Sequence, residues 1–189
     1  GHIRGFNNLF SNCGQACGYF ALGGKIEMHL STFANYASTG SGLRQFPTLY
    51  VNDWYEAADN SIQWRPFHPD SEFRNCIAFG NNANLTDFSE VILDLWDAEI
   101  YVDPLFRASA IHHQEKNFPA WMIDAQTTVN ELPPFVNPAF ADFRLAGTAS
   151  QWTGIPSTPE FSPLEVSVDL LGEPRNTLAP TKGCYERVP

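Results

Sequence analysis

Charge is scarce in this sequence: only 17% of its 189 residues are Asp, Glu, Lys or Arg, against roughly a quarter in an average soluble domain. Basic residues are the scarcest, 11 against 21 acids, which leaves a balance of 11 − 21 = −10. That balance excludes a nucleic-acid groove and disfavours an anionic membrane surface as partner. No apolar run approaches the roughly 18–20 residues of a transmembrane segment. Runs rich in Ala, Glu, Lys and Leu are missing too, which excludes a helical bundle. No C-x-x-C pair occurs among Cys13, Cys17, Cys76 and Cys184, so no zinc site is spaced into the chain. Cys13 and Cys17 could close a local disulfide, or all four thiols could pack as small apolar residues. Disorder is excluded by a hydrophobic content of 43%.

Uncharged hydrogen-bonding residues fill the space that charge leaves. The sequence holds 14 Asn, 14 Pro and 13 Gly, residues that suit turns and stacked strands. An all-β chain is expected. Prolines divide unevenly, three in residues 1–103 and eleven in residues 104–189. Residues 1–103 therefore read as short strands between turns, and residues 104–189 as extended, turn-rich wrapping within the same domain. Lys25-Ile26-Glu27-Met28-His29-Leu30 alternates as a half-buried strand should. Residues 120–132 are the best candidate for a short helix.

A repeat organises the first part. Phe-x-Asn recurs as Phe10-Ser11-Asn12, Phe33-Ala34-Asn35 and Phe79-Gly80-Asn81, at spacings of 23 and then 46 residues. Periods in the low twenties are typical of a β-solenoid, in which each coil supplies two or three short strands. Phe10, Phe33 and Phe79 would then stack inside, and Asn12, Asn35 and Asn81 would form a ladder at a bend. The alternative is three unrelated strand ends that finish on a common turn residue. The interval between 35 and 79 demands an inserted loop at about residues 38–70, for which Ser38-Thr39-Gly40-Ser41-Gly42 is the natural exit.

The C-terminal third carries a further pattern. Asn137-Pro138-Ala139-Phe140-Ala141-Asp142-Phe143-Arg144-Leu145 is followed by Asp169-Leu170-Leu171-Gly172-Glu173-Pro174-Arg175 and Gly183-Cys184-Tyr185-Glu186. Together these segments resemble the closing region of bacterial right-handed parallel β-helix proteins of the pectin-lyase-like kind. Val102-Asp103-Pro104-Leu105-Phe106 looks like a further copy of one of its elements. Cys184 departs from the Ala usual there, and Gln151-Trp152-Thr153-Gly154 from the usual segment before it. The resemblance implies a secreted or cell-surface protein associated with polysaccharide. It also implies that these residues are the last coils and an irregular extended cap, with N-terminal coils of a longer protein as their neighbour.

Chemistry is harder to place. Asp94, Asp97 and Glu99 form the densest acidic cluster, with Asp87, Glu90 and Asp103 nearby. On a strand Asp97 and Glu99 would share a face at roughly 6.5–7 Å, room for the water of an inverting glycoside hydrolase. The same three carboxylates could instead hold calcium, or form a solvated loop. A polysaccharide lyase would need a Lys or Arg base beside them, yet Lys25, Lys116 and Lys182 are scattered, and nothing groups Arg74 or Arg107 with the acids. His112-His113-Gln114-Glu115 lacks a zinc spacing. No G-x-S-x-G elbow or phosphate loop is present, and Asn84-Leu85-Thr86 matches an N-glycosylation acceptor. Trp54, Tyr55 and Trp64 lie in the expected insertion, where their faces could stack on sugar rings or fold the loop back on the core. The expectation is a β-helix protein that binds carbohydrate without a complete active site. The alternatives are a polysaccharide lyase or glycoside hydrolase sited partly on N-terminal coils, and a structural or adhesion spacer.

Overall fold

The computed structural model of the chain describes residues 1–36, 46–81, 89–114, 118–147, 149–156 and 167–187. The Ser38–Gly42 exit, Asp87, Glu115, Lys116 and the Asn84-Leu85-Thr86 acceptor lie outside them. The architecture is all-β. Helical structure among the described residues amounts to four three-residue 3-10 turns, and no helix is long and apolar enough to cross a membrane.

Three sheets of parallel strands carry the core. The chain runs through β1 (His2–Phe6), β2 (Leu9–Ser11) and β3 (Gly18–Ala21), then β4 (Lys25–His29), β5 (Thr32–Asn35) and β6 (Leu49–Asn52). A hairpin of β7 (Trp54–Glu56) and β8 (Ile62–Trp64) follows, and then β9 (Glu72–Arg74), β10 (Ile77–Gly80) and β11 (Val91–Asp94). β12 (Phe106–Arg107), β13 (Ala110–Ile111) and β14 (Thr128–Val129) complete the parallel set, and β15 (Phe135–Asn137) pairs antiparallel with β16 (Asp142–Leu145). The first sheet is ordered β1-β4-β9-β12, the second β2-β5-β10-β13-β14 and the third β3-β6-β11. Through β11 the chain visits the three sheets three times in one order, adding a strand to the same edge of each; β12 and β13 extend only the first two sheets, and β14 only the second.

Alternation decides which side chains fill the interior. In β4, Ile26 and Met28 are buried in the core while Lys25, Glu27 and His29 take the other face. One hydrophobic cluster combines Ile26, Met28, Phe73 and Phe106 of the first sheet with Phe33, Ala78 and Ile111 of the second and Leu49, Val51, Val91 and Leu93 of the third. Aromatic rings stack from circuit to circuit: Phe10 on Phe33 at 5.0 Å and 13°, and Phe73 on Phe106 at 5.1 Å and 16°.

The expected ladder is half present. Phe10 pairs with Phe33, a step of 23 residues. The next step is 45 rather than 46, because Ile77 pairs with Thr32, Phe79 with Ala34 and Gly80 with Asn35. A slip of one residue changes the face, so Phe79 leaves the stack of Phe10 and Phe33. It packs instead with Ile77, Leu145 and Trp152 beneath the C-terminal wrapping. Asn81 falls one position past Asn35, and its backbone N–H donates to the Asn35 carbonyl at 3.3 Å. The Asn12 side chain accepts from Tyr36 N, and that of Asn35 donates to Gln15 O at 2.7 Å, so neither amide pairs with the other.

The true bend column lies between the first and second sheets. Phe6, His29, Arg74 and Arg107 are register partners, and the residue after each has left-handed backbone: Asn7 (φ 52°), Leu30 (49°), Asn75 (54°) and Ala108 (46°). Asn accepts that conformation readily, whereas Leu and Ala are forced into it. Residues 120–132 do not form the expected helix. A 3-10 turn at Ala120–Met122 gives way to β14, because the Asp124 carboxylate takes the Ala108 and Gln126 N–H groups and the Thr127 hydroxyl.

The C-terminal segment is fastened along this same bend. Lys182 Nζ donates to Ser109 O, Gln126 O and Thr128 Oγ1 at 2.9–3.1 Å. Gly183 N–H donates to Asn75 O at 2.7 Å, Cys184 N–H to Thr32 Oγ1 at 3.0 Å, and Arg175 to Asn7 Oδ1 at 3.0 Å. Gly183 sits at φ 88°, and a Cβ there would come within 2.6 Å of Thr32 Oγ1, so a side chain at this position would strain the backbone and displace its neighbours. Asp169, Arg175 and Glu186 close the segment on itself: the Asp169 carboxylate takes the Leu171, Glu173 and Glu186 N–H groups, and Arg175 meets Glu186 at 3.3 Å.

Burial draws the Lys182 ammonium down from 10.5 to about 8, against the pull of Asp124 and Glu131. Between these values the unfolded chain holds the proton that the folded chain has lost, so this residue makes stability rise with pH across that window. Relative to Lys182→Met, the wild type is expected to gain up to about 3 kcal/mol between pH 8 and pH 10.5. Urea unfolding of both proteins at the two pH values checks this, and parallel pH dependences would contradict it.

Candidate functional site

The outward face of the third sheet is aromatic. Phe20, Val51 and Leu93 point into the core, which turns Tyr19, Tyr50 and Ile92 outward in one column and Ala21, Asn52 and Asp94 in the next. Tyr19 and Tyr50 stack with centroids 5.1 Å apart at 11°, and Tyr19 remains 60% exposed. The Asp94 carboxylate accepts from the Tyr50 hydroxyl, from Asn52 Nδ2 at 3.2 Å and from Trp54 Nε1 at 2.9 Å. Burial, reinforced by the bond to Asp94, pushes the Tyr50 hydroxyl upward and keeps it a proton donor. Beside this group opens a cleft of about 340 Å³ lined by Tyr50, Ile92, Asp94, Leu95, Ala98 and Pro119.

A second carboxylate fastens the hairpin. Asp53, fully buried, accepts from Trp64 Nε1 at 3.1 Å, the Tyr101 hydroxyl at 2.6 Å and Trp96 N at 2.8 Å. The Trp54 ring lies 5.6 Å from that of Trp96. Trp54 and Trp64 are cross-strand partners, which places Tyr55 on the opposite face of the ribbon. Trp54, Tyr55 and Trp64 therefore do not share one surface, and of the three only Trp54 donates to Asp94.

The expected acidic centre is not assembled. Asp97 and Glu99 are exposed and lie at a 3-10 turn, where Asp97 Oδ1 accepts from Glu99 N at 3.1 Å. They share no strand face, because the chain has left the sheet after Asp94. Among the described residues no three His, Cys, Asp or Glu side chains converge to hold a metal, so the calcium arrangement of Asp94, Asp97 and Glu99 is not formed. The Phe79 and His112 rings lie 5.3 Å apart, and the His113 ring stacks on Phe118 at 4.0 Å. Burial lowers the pKa of both histidines.

The outward face of the first sheet holds a charged network that the sequence does not reveal. Glu72 lies 2.8 Å from His29 Nε2, accepts from Arg74 through two bonds of 3.0 Å, and meets Arg107 Nε at 3.2 Å. Lys25 meets Glu27 at 3.0 Å, and His2 also contacts Glu27. Arg74 and Arg107, which nothing in the sequence grouped with Asp94, Asp97 and Glu99, are joined instead through the Glu72 carboxylate. Only the steps of 45 and 33 residues that pair His29 with Arg74 and Arg74 with Arg107 bring these groups together.

Burial alone would raise the Glu72 carboxyl. The bonds from His29 and Arg74 instead hold it at about 2, below its ordinary 4.5. Its contribution to stability is therefore complete above about pH 4.5 and is lost as pH falls toward 2. Glu72→Gln strands two guanidinium groups and is expected to cost about 3 kcal/mol at pH 7, with the difference from wild type closing by pH 2. Urea denaturation across that range checks it, and a constant difference would contradict it. Comparison with known proteins adds no relative: no family model, no curated protein and no solved structure matches this chain.

Proposed function

We propose that the chain is part of a secreted or cell-surface right-handed parallel β-helix protein that binds carbohydrate on the outer face of its third sheet. The fold reading is supported by three sheets visited in constant order around one apolar cluster, and by the C-terminal segments that resemble pectin-lyase-like proteins. The observation that carries the binding reading is the Tyr19–Tyr50 stack beside Asn52 and Asp94. Two aromatic faces offer an apolar platform for the C–H side of sugar rings, and the amide and carboxylate beside them suit hydroxyl groups. The carboxylates that a lyase or hydrolase would use do not meet over this platform among the described residues. Binding without turnover is the reading that follows.

A polysaccharide panel tests it, scored for both retention and product release. The expected result is saturable binding of at least one glycan, weakened about tenfold by Tyr19→Ala and unchanged by Asp97→Asn. Tyr19 is exposed enough that the substitution leaves the core intact. Binding that survives Tyr19→Ala, or failure to bind any glycan, would overturn the proposal. Product release abolished by Asp97→Asn would replace it with an enzyme.

A further inference from the structure

A second cleft, which shares Leu95 with the one beside Tyr50, lies where the segments before β9 and before β12 meet. Its inner part is an apolar cavity of about 220 Å³. Phe67, Leu105 and Met122, all buried, form the floor, and Leu95, Ile100 and Val102 form the walls. Both hydroxyls in the lining are committed: that of Tyr101 to Asp53 and the Phe67 N–H, and that of Ser71, which accepts the Ile26 N–H at 3.1 Å, so the cavity offers little to a sugar. A charged depression of about 270 Å³ adjoins it, and the two share Pro69, Ser71 and Asp103.

The charges in this depression are not equally committed. Lys25, Arg74 and Arg107 each meet Glu27 or Glu72 at 3.0–3.2 Å. The rim acids Asp70 and Asp103, 68% and 54% exposed at their side chains, have Lys25 no closer than 3.9 Å and Arg107 no closer than 3.7 Å. His68 Nδ1 lies 3.5 Å from the Asp70 carboxylate and accepts the Asp70 N–H at 3.2 Å. The cations of the cleft thus sit at 3.0–3.2 Å from the inner acids, while the two outer acids beside an apolar cavity share the same cations only at 3.7–3.9 Å. The chain's balance of −10 adds a field of the same sign.

We propose that this cleft binds an organic cation with an apolar body, a primary amine on an alkyl or arylalkyl chain. The body fills the cavity over Phe67, Leu105 and Met122, and the ammonium lies at the Asp70–Asp103 rim. The contact is independent of the carbohydrate surface on the third sheet.

Titration with 4-phenylbutylamine, 4-phenylbutyrate and butylamine, read by amide NMR shifts and calorimetry, tests this. The amine is expected to saturate, with shifts centred on residues 66–71 and 95–105. Phenylbutyrate, which lacks the positive charge, and butylamine, which lacks the body, are expected to bind more than tenfold more weakly. Asp103→Asn is expected to weaken the amine about fivefold, and Tyr19→Ala to leave its affinity unchanged. Equal affinity for amine and carboxylate, equal affinity of wild type and Asp103→Asn, shifts centred elsewhere, or no saturation would each overturn the proposal.

Discussion

Parallel register between successive circuits is the constraint on which this structure depends. Each strand is short, three to five residues in the first two circuits, and no such strand is stable alone. Stability comes from each strand placing its inward residues above those of the strand before. Ile3 above Ile26, Phe10 above Phe33 and Phe73 beside Phe106 are consequences of that single rule. A slip of one residue in any sheet would exchange its apolar and polar faces at once. The left-handed bend at Asn7, Leu30, Asn75 and Ala108 recurs because the register brings each circuit to the same corner. The C-terminal segment reinforces it by bonding to Thr32, Asn75 and Ser109 along that corner.

The same rule gives the three outward faces different characters. On the second sheet, Ile77 and Phe79 are covered by Leu145 and Trp152 of the C-terminal wrapping. On the first, Lys25, Glu27, His29, Glu72, Arg74 and Arg107 concentrate charge that is rare elsewhere in the chain. On the third, Tyr19, Tyr50, Asn52 and Asp94 make a platform with both apolar and hydrogen-bonding character. Scarce charge in the sequence therefore does not mean an even spread. Paired acids and bases gather where the first sheet faces outward.

Much of the fold was legible because its signals are local. The alternation of residues 25–30 survives as two faces, Ile26 and Met28 toward the core and Glu27 and His29 away from it, but the strand is buried at four of five positions rather than half buried. The 23-residue step survives because Phe10 and Phe33 are of one type. The second step misled because Phe79-Gly80-Asn81 imitates the triplet while lying one position out of phase. The bend column left no pattern, as Leu30 and Ala108 stand where Asn7 and Asn75 do. The sites were less legible than the fold. Asp94 meets Trp54, 40 residues away, and Arg107 meets Glu72 only through a register that insertions make irregular. Asp97 and Glu99, adjacent enough to attract notice, are separated from Asp94 by a turn that no composition reveals.

Register is also the most direct place to challenge the account. Backbone NOE spectroscopy of the isotope-labelled protein reads it without reference to any ligand, since parallel neighbours lie about 4.8 Å apart. The account predicts parallel contacts that place Arg74 between His29 and Arg107, and Tyr50 between Tyr19 and Ile92. Contacts displaced by one residue, or an antiparallel pattern between these strands, would contradict it.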